Sequence, residues 1–394
     1  MLPLAVTAYS VVCAAGFGKR ALLAALQERR GALTPNDFTR QSLPTWIGRV
    51  AGLESAAWDL PPHLAPWTCR NNRLAWAGLH TDEFMAAASA ARERYGARRV
   101  ALVMGTSTAA IDATEAFYRQ RAEPAGAPAQ LRSKELHTPH SLGDFVQRAL
   151  GLQGPCYTIA TASSSSAKVF GQAERLMRLG LCDAVIVGGV DTLCDSVLYG
   201  FASLELLSPQ VCRPFAADRR GLNIGEAAGF ALLEREGSEL RLLGYGESSD
   251  AHHMSAPHPE GLGARAALEQ ALRRGHCRAE QIQYINLHGT ATLRNDEVEA
   301  RVVAQMFPDS TRASSTKGWT GHTLGAAGCL EAIISWLSLS TGLIPGTLNT
   351  LELDRHCGAQ IQLENSEAKL RRVLSNSFGF GGSNCVLLFG RDAR

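Results

Sequence analysis

None of the ten cysteines forms a Cys-x-x-Cys pair, so neither a structural zinc site nor a dithiol redox motif is indicated. Several cysteines sit in apolar runs and read as small buried hydrophobes of a reducing compartment. Excess charge is also lacking. The formal net charge is only +2, which calls for neither nucleic acid nor a membrane surface. An acidic partner would have to meet a local basic patch. No run reaches the ~18 consecutive apolar residues of a membrane span. The apolar stretch Met1–Gly16 lacks the basic residues that open a signal peptide, because Lys19 and Arg20 follow it. It reads as a first strand leading into a helix near Arg20–Gln27, and a cytoplasmic protein is expected. There is no low-complexity segment and no obvious repeat. The segment Arg121–Arg132 reads as a flexible loop.

What is present is a chain of 394 residues, 45% hydrophobic and 19% charged. That is too long for one ordinary core, so two domains of similar size are expected. Arg99–Met104 and Ala184–Val187 read as short buried strands, and Ala167–Leu179 between them has helical composition. Strand, helix, strand in that order implies parallel pairing in an α/β layered fold. A seam falls near Glu236–Leu240, giving halves 1–236 and 237–394. Beyond it, strands are expected at Leu240–Gly244 and Ile282–Leu287, and helices around Gly263–Arg274 and from Asn295. The Gly/Ser/His-rich stretch Gly246–Gly263 reads as a long loop.

Four constellations carry chemistry. Thr161-Ala162-Ser163-Ser164-Ser165-Ser166 follows the strand-like Cys156–Ile159 and opens a helix. A small residue there sits at the positive end of the helix dipole, beside free backbone N–H groups. That position suits a nucleophile and an oxyanion, and equally an N-cap in a Ser-rich loop. His288 follows a strand and precedes Gly289, Thr290 and Thr292, so it points into the crevice where α/β ligands bind. Lys317 and His322 share the Gly-rich stretch Ser315–Gly328, and Glu331 follows nine residues beyond His322. A buried acid there would need a partner, and Lys317 is the obvious one. Last, Asn376-Ser377-Phe378-Gly379-Phe380-Gly381-Gly382-Ser383-Asn384 alternates bulky and flexible residues, as a gating loop would. A phosphate cradle is less suitable, because no Gly-Lys-Ser/Thr ending follows.

Taken together with Arg213-Pro214-Phe215, Gly225-Glu226-Ala227-Ala228-Gly229 and the stretch Asp250–Gly261, these segments resemble the β-ketoacyl-acyl-carrier-protein synthases along the whole chain. The resemblance implies a thiolase-like five-layered αβαβα fold of two similar halves, usually dimeric. It implies decarboxylative condensation of an acyl thioester with malonyl-carrier in fatty acid or polyketide elongation. Substrates would arrive on the phosphopantetheine of an acyl carrier protein, with no other cofactor and no metal. Ser163 stands where the family has its cysteine nucleophile. His288 and His322 match the pair that stabilises the enolate, and Lys317 and Glu331 the buried pair that organises the site. The N–H groups of Ser163 and Phe380 match the oxyanion hole. Thr290 and Thr292 match hydroxyls on the pantetheine arm. Phe378 and Phe380 lie on the gating loop, and Phe201 matches a residue of the acyl pocket. Asp296 and Glu299 are expected to be structural.

Carrier proteins are acidic, and Arg70 and Arg73 match a basic helix of the family, with Arg219 and Arg220 as further candidates. Glu205 departs from relatives that carry an arginine there. Cys69-Arg70-Asn71-Asn72-Arg73 and Ser166-Ala167-Lys168-Val169-Phe170 look most like the aryl-polyene ketosynthases, which pair with a chain length factor. The partners implied are therefore an acyl carrier protein and a second subunit, either a copy of this chain or a chain length factor. The serine at 163 reads as an inactivating replacement of the nucleophile. The alternatives are a natural non-condensing, chain-length-factor-like subunit and a working serine enzyme. A degradative thiolase would use a second cysteine near its C-terminus, and the Phe378–Asn384 loop has none, although Cys385 follows.

Overall fold

The computed structural model describes residues 1–121 and 133–391; most of the expected Arg121–Arg132 loop lies outside them. Ten strands build the central layers. They are β1 (Leu4–Cys13), β2 (Val100–Gly105), β3 (Cys156–Ile159), β4 (Ala184–Asp191), β5 (Ala227–Glu234), β6 (Leu240–Ser249), β7 (Tyr284–Asn286), β8 (Arg312–Ser314), β9 (Arg372–Gly379) and β10 (Ser383–Arg391). The helices that matter here are α1 (Lys19–Gln27), α2 (Arg70–Leu79), α3 (Phe84–Tyr95), α4 (Ser141–Leu150), α5 (Ser165–Arg178), α6 (Asp195–Ser203), α7 (Leu262–Arg274), α8 (Leu293–Met306) and α9 (Ala327–Thr341).

A repeat invisible in the residues is plain in the topology. The N-terminal half runs β3-β2-β4-β5-β1 and the C-terminal half β8-β7-β9-β10-β6, the same order shifted by five strands. Directions match as well. In each half the first three strands are parallel and the last two antiparallel. The halves join where β1 meets β6 through Leu4–Leu242 and Ala5–Arg241.

Alternation along the strands builds the layers, because successive side chains point to opposite faces. On β2, Val100, Leu102 and Met104 face an outer core with Leu74, Phe84 and Phe145 from α2, α3 and α4. Ala101 and Val103 face inward with Phe170 of α5 and Ile333 and Trp336 of α9. Val373, Leu387 and Phe389 of the other half-sheet close on the same inner core. Beyond them, Leu374, Val386 and Leu388 pack on α7 and α8. The order is helix, sheet, helix, sheet, helix, the five-layered α/β arrangement expected. The stretch Leu324–Thr341 is long and apolar enough to cross a membrane, but 89% of it is buried inside the molecule. It is the central helix with its lead-in turn, and a helix apolar all round belongs in a core.

Two expectations change here. The strand β6 runs on to Ser249 instead of yielding to a loop at Gly246. Its glycines are there for packing. A Cβ on Gly246 would lie 1.7 Å from the Ala267 carbonyl oxygen of α7, and one on Gly244 2.4 Å from that of Ala271. The supposed flexible loop Phe378–Asn384 is a tight hairpin between β9 and β10, turned at Gly381 and Gly382 with φ near +80°. Those angles demand glycine, so the flexibility suggested by composition is turn chemistry instead.

Candidate active site

The nucleophile position is set by a turn between β3 and α5. Ala162 holds a left-handed φ of +52°, a conformation that costs a non-glycine residue on the order of 1 kcal/mol. The serine run secures it. Ser165 Oγ donates to the Ala162 carbonyl at 2.6 Å and accepts from the Thr161 N–H at 2.9 Å. Ser164 Oγ donates to the Thr161 carbonyl at 2.9 Å. Ser166 Oγ accepts from the Cys329 N–H at 2.9 Å, tying α5 to α9. Three of the four serines are thus fasteners, and Ser163 alone lines the cavity.

His288 and His322 line that cavity too. Their rings meet edge to face with centroids 5.3 Å apart, and His322 Nε2 lies 2.7 Å from Ser163 Oγ. This contact sets a histidine directly beside the nucleophile position. It does not make a triad. Among the described residues Nδ1 of each histidine is buried without a protein partner, and none supplies a carboxylate that orients His322. If Nε2 accepted from the serine, the proton on Nδ1 would be a buried, unpaired donor. With the proton on Nε2, only a lone pair is left unmatched, the less costly fault. The imidazole is therefore a donor toward Oγ and not a base for it. Burial first, and then the Lys317 charge, hold both histidines well below the usual histidine range, with each other's proximity adding at His288. Two neutral donors result.

Lys317 joins the two histidine loops. Its Nζ donates to the His288 carbonyl and to Glu331 Oε1, each at 2.5 Å, and both side chains of the ion pair are buried. Burial pushes the Glu331 carboxyl up to about 7 against the pull of Lys317. Glu299 accepts from the His288 and Gly289 N–H groups, both at 2.8 Å, and Asp296 from the Phe215 N–H at 2.7 Å. These hydrogen bonds brace the loop after β7. His322 is anchored across the halves by its N–H on the Asn223 carbonyl at 2.7 Å.

The hairpin forms the other wall. A Cβ on Gly379 would lie 2.7 Å from the Thr161 carbonyl oxygen and 3.3 Å from the Ser164 nitrogen, so this backbone presses on the nucleophile turn. Phe380, beyond it, stacks on Phe201 of α6 at 5.4 Å, and Phe378 lies 5.9 Å from His288. Thr290 and Thr292 share a 2.9 Å hydrogen bond at the cavity wall. Phe201 itself does not border this cavity. Asp250 of the stretch Asp250–Gly261 donates its N–H to the Gly382 carbonyl, and Met254 accepts from the Gly381 N–H, clasping the hairpin tip. Cys385 is buried in the inner core and does not border the cavity, so it supplies no second thiol. Among the described residues no cluster of three His, Cys, Asp or Glu side chains could hold a metal.

The carrier-binding expectation for Arg70 is corrected. Its Nε and Nη2 bind Glu226 at 2.9 and 2.6 Å, its Nη1 binds Glu54 at 2.6 Å, and the side chain is only 13% exposed. Glu226 lies wholly inside, and a buried carboxylate recruits the nearest guanidinium. Arg73 is paired with Asp59 and is more exposed. Arg219 is buried against Asp354, whereas Arg220 is exposed. Sequence reasoning also missed Asp191 at the end of β4. Its only sequence signal was a lone acid closing an otherwise apolar and glycine strand.

An N–H-rich turn at Ser163, two imidazoles and a buried lysine thus meet between two matched α/β halves of a thiolase-type fold. Comparison with known proteins agrees. Residues 3–238 match the family "Beta-ketoacyl synthase, N-terminal domain" and residues 240–351 the family "Beta-ketoacyl synthase, C-terminal domain". The chain belongs to the β-ketoacyl synthase family. It is 39% identical over 267 residues to the mitochondrial 3-oxoacyl-[acyl-carrier-protein] synthase of Arabidopsis thaliana, a match covering 62% of this chain and 58% of that protein. It is 30% identical to Nodulation protein E of Rhizobium leguminosarum bv. trifolii over 98% of both chains. Among solved structures, a chain of the complex of the ketosynthase ApeO with its chain length factor ApeC from Xenorhabdus doucetiae superposes with a TM-score of 0.92. That chain is 37% identical, and the match covers 99% of this chain and 98% of that one.

Proposed function

We propose that this chain is a ketosynthase-type subunit of a carrier-dependent chain-elongation system, in which Ser163 separates two normally linked steps. The observation that carries this reading is the intact donor set, His288, His322 and Lys317–Glu331, around a hydroxyl in place of a thiol. Loss of CO2 from a malonyl thioester leaves an enolate whose oxygen needs donors, and two neutral Nε2–H groups meet it without a metal. Holding the acyl chain needs a nucleophile. Serine is several units less acidic than cysteine, and the histidine beside it donates to it. The chain as it stands therefore binds carrier-borne substrates and decarboxylates malonyl units, but does not condense them.

Substrates come on phosphopantetheine, consistent with relatives named 3-oxoacyl-[acyl-carrier-protein] synthases, and the protein works in the cytoplasm. The second subunit is a copy of this chain or a chain length factor, the latter as in two solved complexes of similar fold. The stretches Cys69–Arg73 and Ser166–Phe170 support placement beside the aryl-polyene ketosynthases. A natural non-condensing subunit is the second reading, favoured by Ser163 and opposed by the retained histidines and lysine. Ser163→Cys, assayed with acyl-carrier and malonyl-carrier by mass spectrometry of carrier-bound products, is the test. Condensation should rise by at least about 10³-fold over the serine form. A Ser163→Cys protein that stays inert, alone and with a chain length factor, would transfer the chain to the second reading.

A further inference from the structure

Asp191, at the last position of β4, is wholly buried, and no step of the proposed chemistry uses it. Its carboxylate collects five donors. Oδ1 accepts from Thr106 Oγ1 at 2.6 Å, Thr108 Oγ1 at 2.7 Å and the Thr108 N–H at 2.8 Å. The Ser107 N–H lies 2.9 Å from both oxygens. Oδ2 accepts from the Gly325 N–H at 2.5 Å. The donors come from two segments that otherwise belong to different halves, the end of β2 and the loop that carries His322. Ser107 then reaches the third segment, with its Oγ donating to the Ala162 carbonyl at 3.2 Å. Both catalytic loops hold a non-glycine residue in the left-handed region, Ala162 at φ +52° and Leu324 at φ +56°. Gly325 fits against this hub only without a side chain, since a Cβ would lie 2.7 Å from Asp191 Oδ2 and from Ser107 Oγ.

We propose that Asp191 is a positioning residue that locks the nucleophile turn to the His322 loop, so that enolate formation and acyl capture occur in register. One carboxylate fixes Gly325, three residues from His322, and through Ser107 it fixes Ala162, next to Ser163. Asparagine cannot do this. Its amide nitrogen brings a donor where only donors converge, leaving an N–H group unpaired in a buried site. A small displacement of one loop against the other then leaves each step feasible but uncouples them.

The inference rests on the proposed function, and the experiment separates the two. In the Ser163→Cys protein, malonyl-carrier consumed and β-ketoacyl-carrier formed are measured together. If Ser163→Cys itself does not condense, the proposed function fails. If it condenses, Asp191→Asn should lower condensation by about 10²-fold while malonyl decarboxylation falls far less, so that acetyl-carrier accumulates. Ser107→Ala removes only the link to Ala162 and keeps the fold even where Asp191→Asn does not. It should shift the same product ratio by about threefold to tenfold at an unchanged melting temperature. An unchanged ratio in Ser107→Ala, or a fall of both activities in proportion to lost folded protein in Asp191→Asn, overturns the proposal.

Discussion

The hydroxyl of Ser163 and the imidazole of His322 are 2.7 Å apart, yet charge and burial decide what the pair can do. Both histidines are held neutral by burial and by the Lys317 ammonium. The sign follows directly. A histidine whose folded pKa is depressed takes up its proton only well below the ordinary value near 6.5, whereas the unfolded chain takes it up there. Its contribution to stability is complete above about pH 6.5 and declines as the pH falls below that value. The enolate donors likewise persist on the acid side of neutrality. Nitrogen-15 spectra of selectively labelled protein should show both imidazoles neutral at pH 6, with malonyl decarboxylation lacking an acid limb near 6.5. An imidazolium signal from either residue at pH 6 would contradict the electrostatic account. Most residues that line the cavity were legible in sequence because each sits at a strand end or a helix start. Asp191 was not, since nothing in a lone aspartate announces five donors converging from separate segments. Arg70 misled for the opposite reason. A basic helix looks like a docking surface until the buried Glu226, distant in sequence, claims its guanidinium.

Strands and helices with uniform composition were legible, and β3 matches its expected Cys156–Ile159 bounds. The failures fall on glycine. In β6 and in the hairpin between β9 and β10, glycine suggests loose chain by composition, but it serves close packing in one and positive φ in the other. Gly246 tests the first. A methyl group there would collide with the Ala267 carbonyl of α7, and backbone cannot swing aside as a side chain can. Gly246→Ala should cost on the order of 3 kcal/mol in denaturant unfolding. A loss under about 0.5 kcal/mol would mean that α7 is not seated against β6 as described.

At the scale of the whole molecule, the path of ten strands through the central sheet ends at two edges among the described residues, and they are managed differently. At β8 the edge is covered. Ala313 donates to the Gln360 carbonyl at 2.7 Å and accepts from the Gln362 N–H at 2.8 Å. At β3 no such cover exists among the described residues, and Tyr157 is 44% exposed. An uncovered edge is a template for another chain, so β3 is where a second subunit of either kind should add. The apolar strand Ala184–Val187 lies buried between β2 and β5 and offers no such edge. Thr158→Pro removes an edge donor and should yield a monomer by sedimentation at micromolar concentration, with the melting temperature of the rest of the fold retained. A dimer that persists would place the interface elsewhere. The two similar halves are legible in the sequence only through the family resemblance, because they share strand order and direction without sharing residues. Backbone pairing and layer packing are satisfied by many apolar sequences.

The central claim is that this site keeps the machinery for the enolate and lacks the one for acyl capture. It is tested most directly by incubating the unaltered chain with malonyl-carrier and acyl-carrier and following both carriers by mass spectrometry. The account predicts acetyl-carrier from decarboxylation, lowered about 10²-fold by His288→Ala, and no β-ketoacyl-carrier. Condensation by the serine form at the rate of Ser163→Cys, or no decarboxylation by either protein, would contradict it.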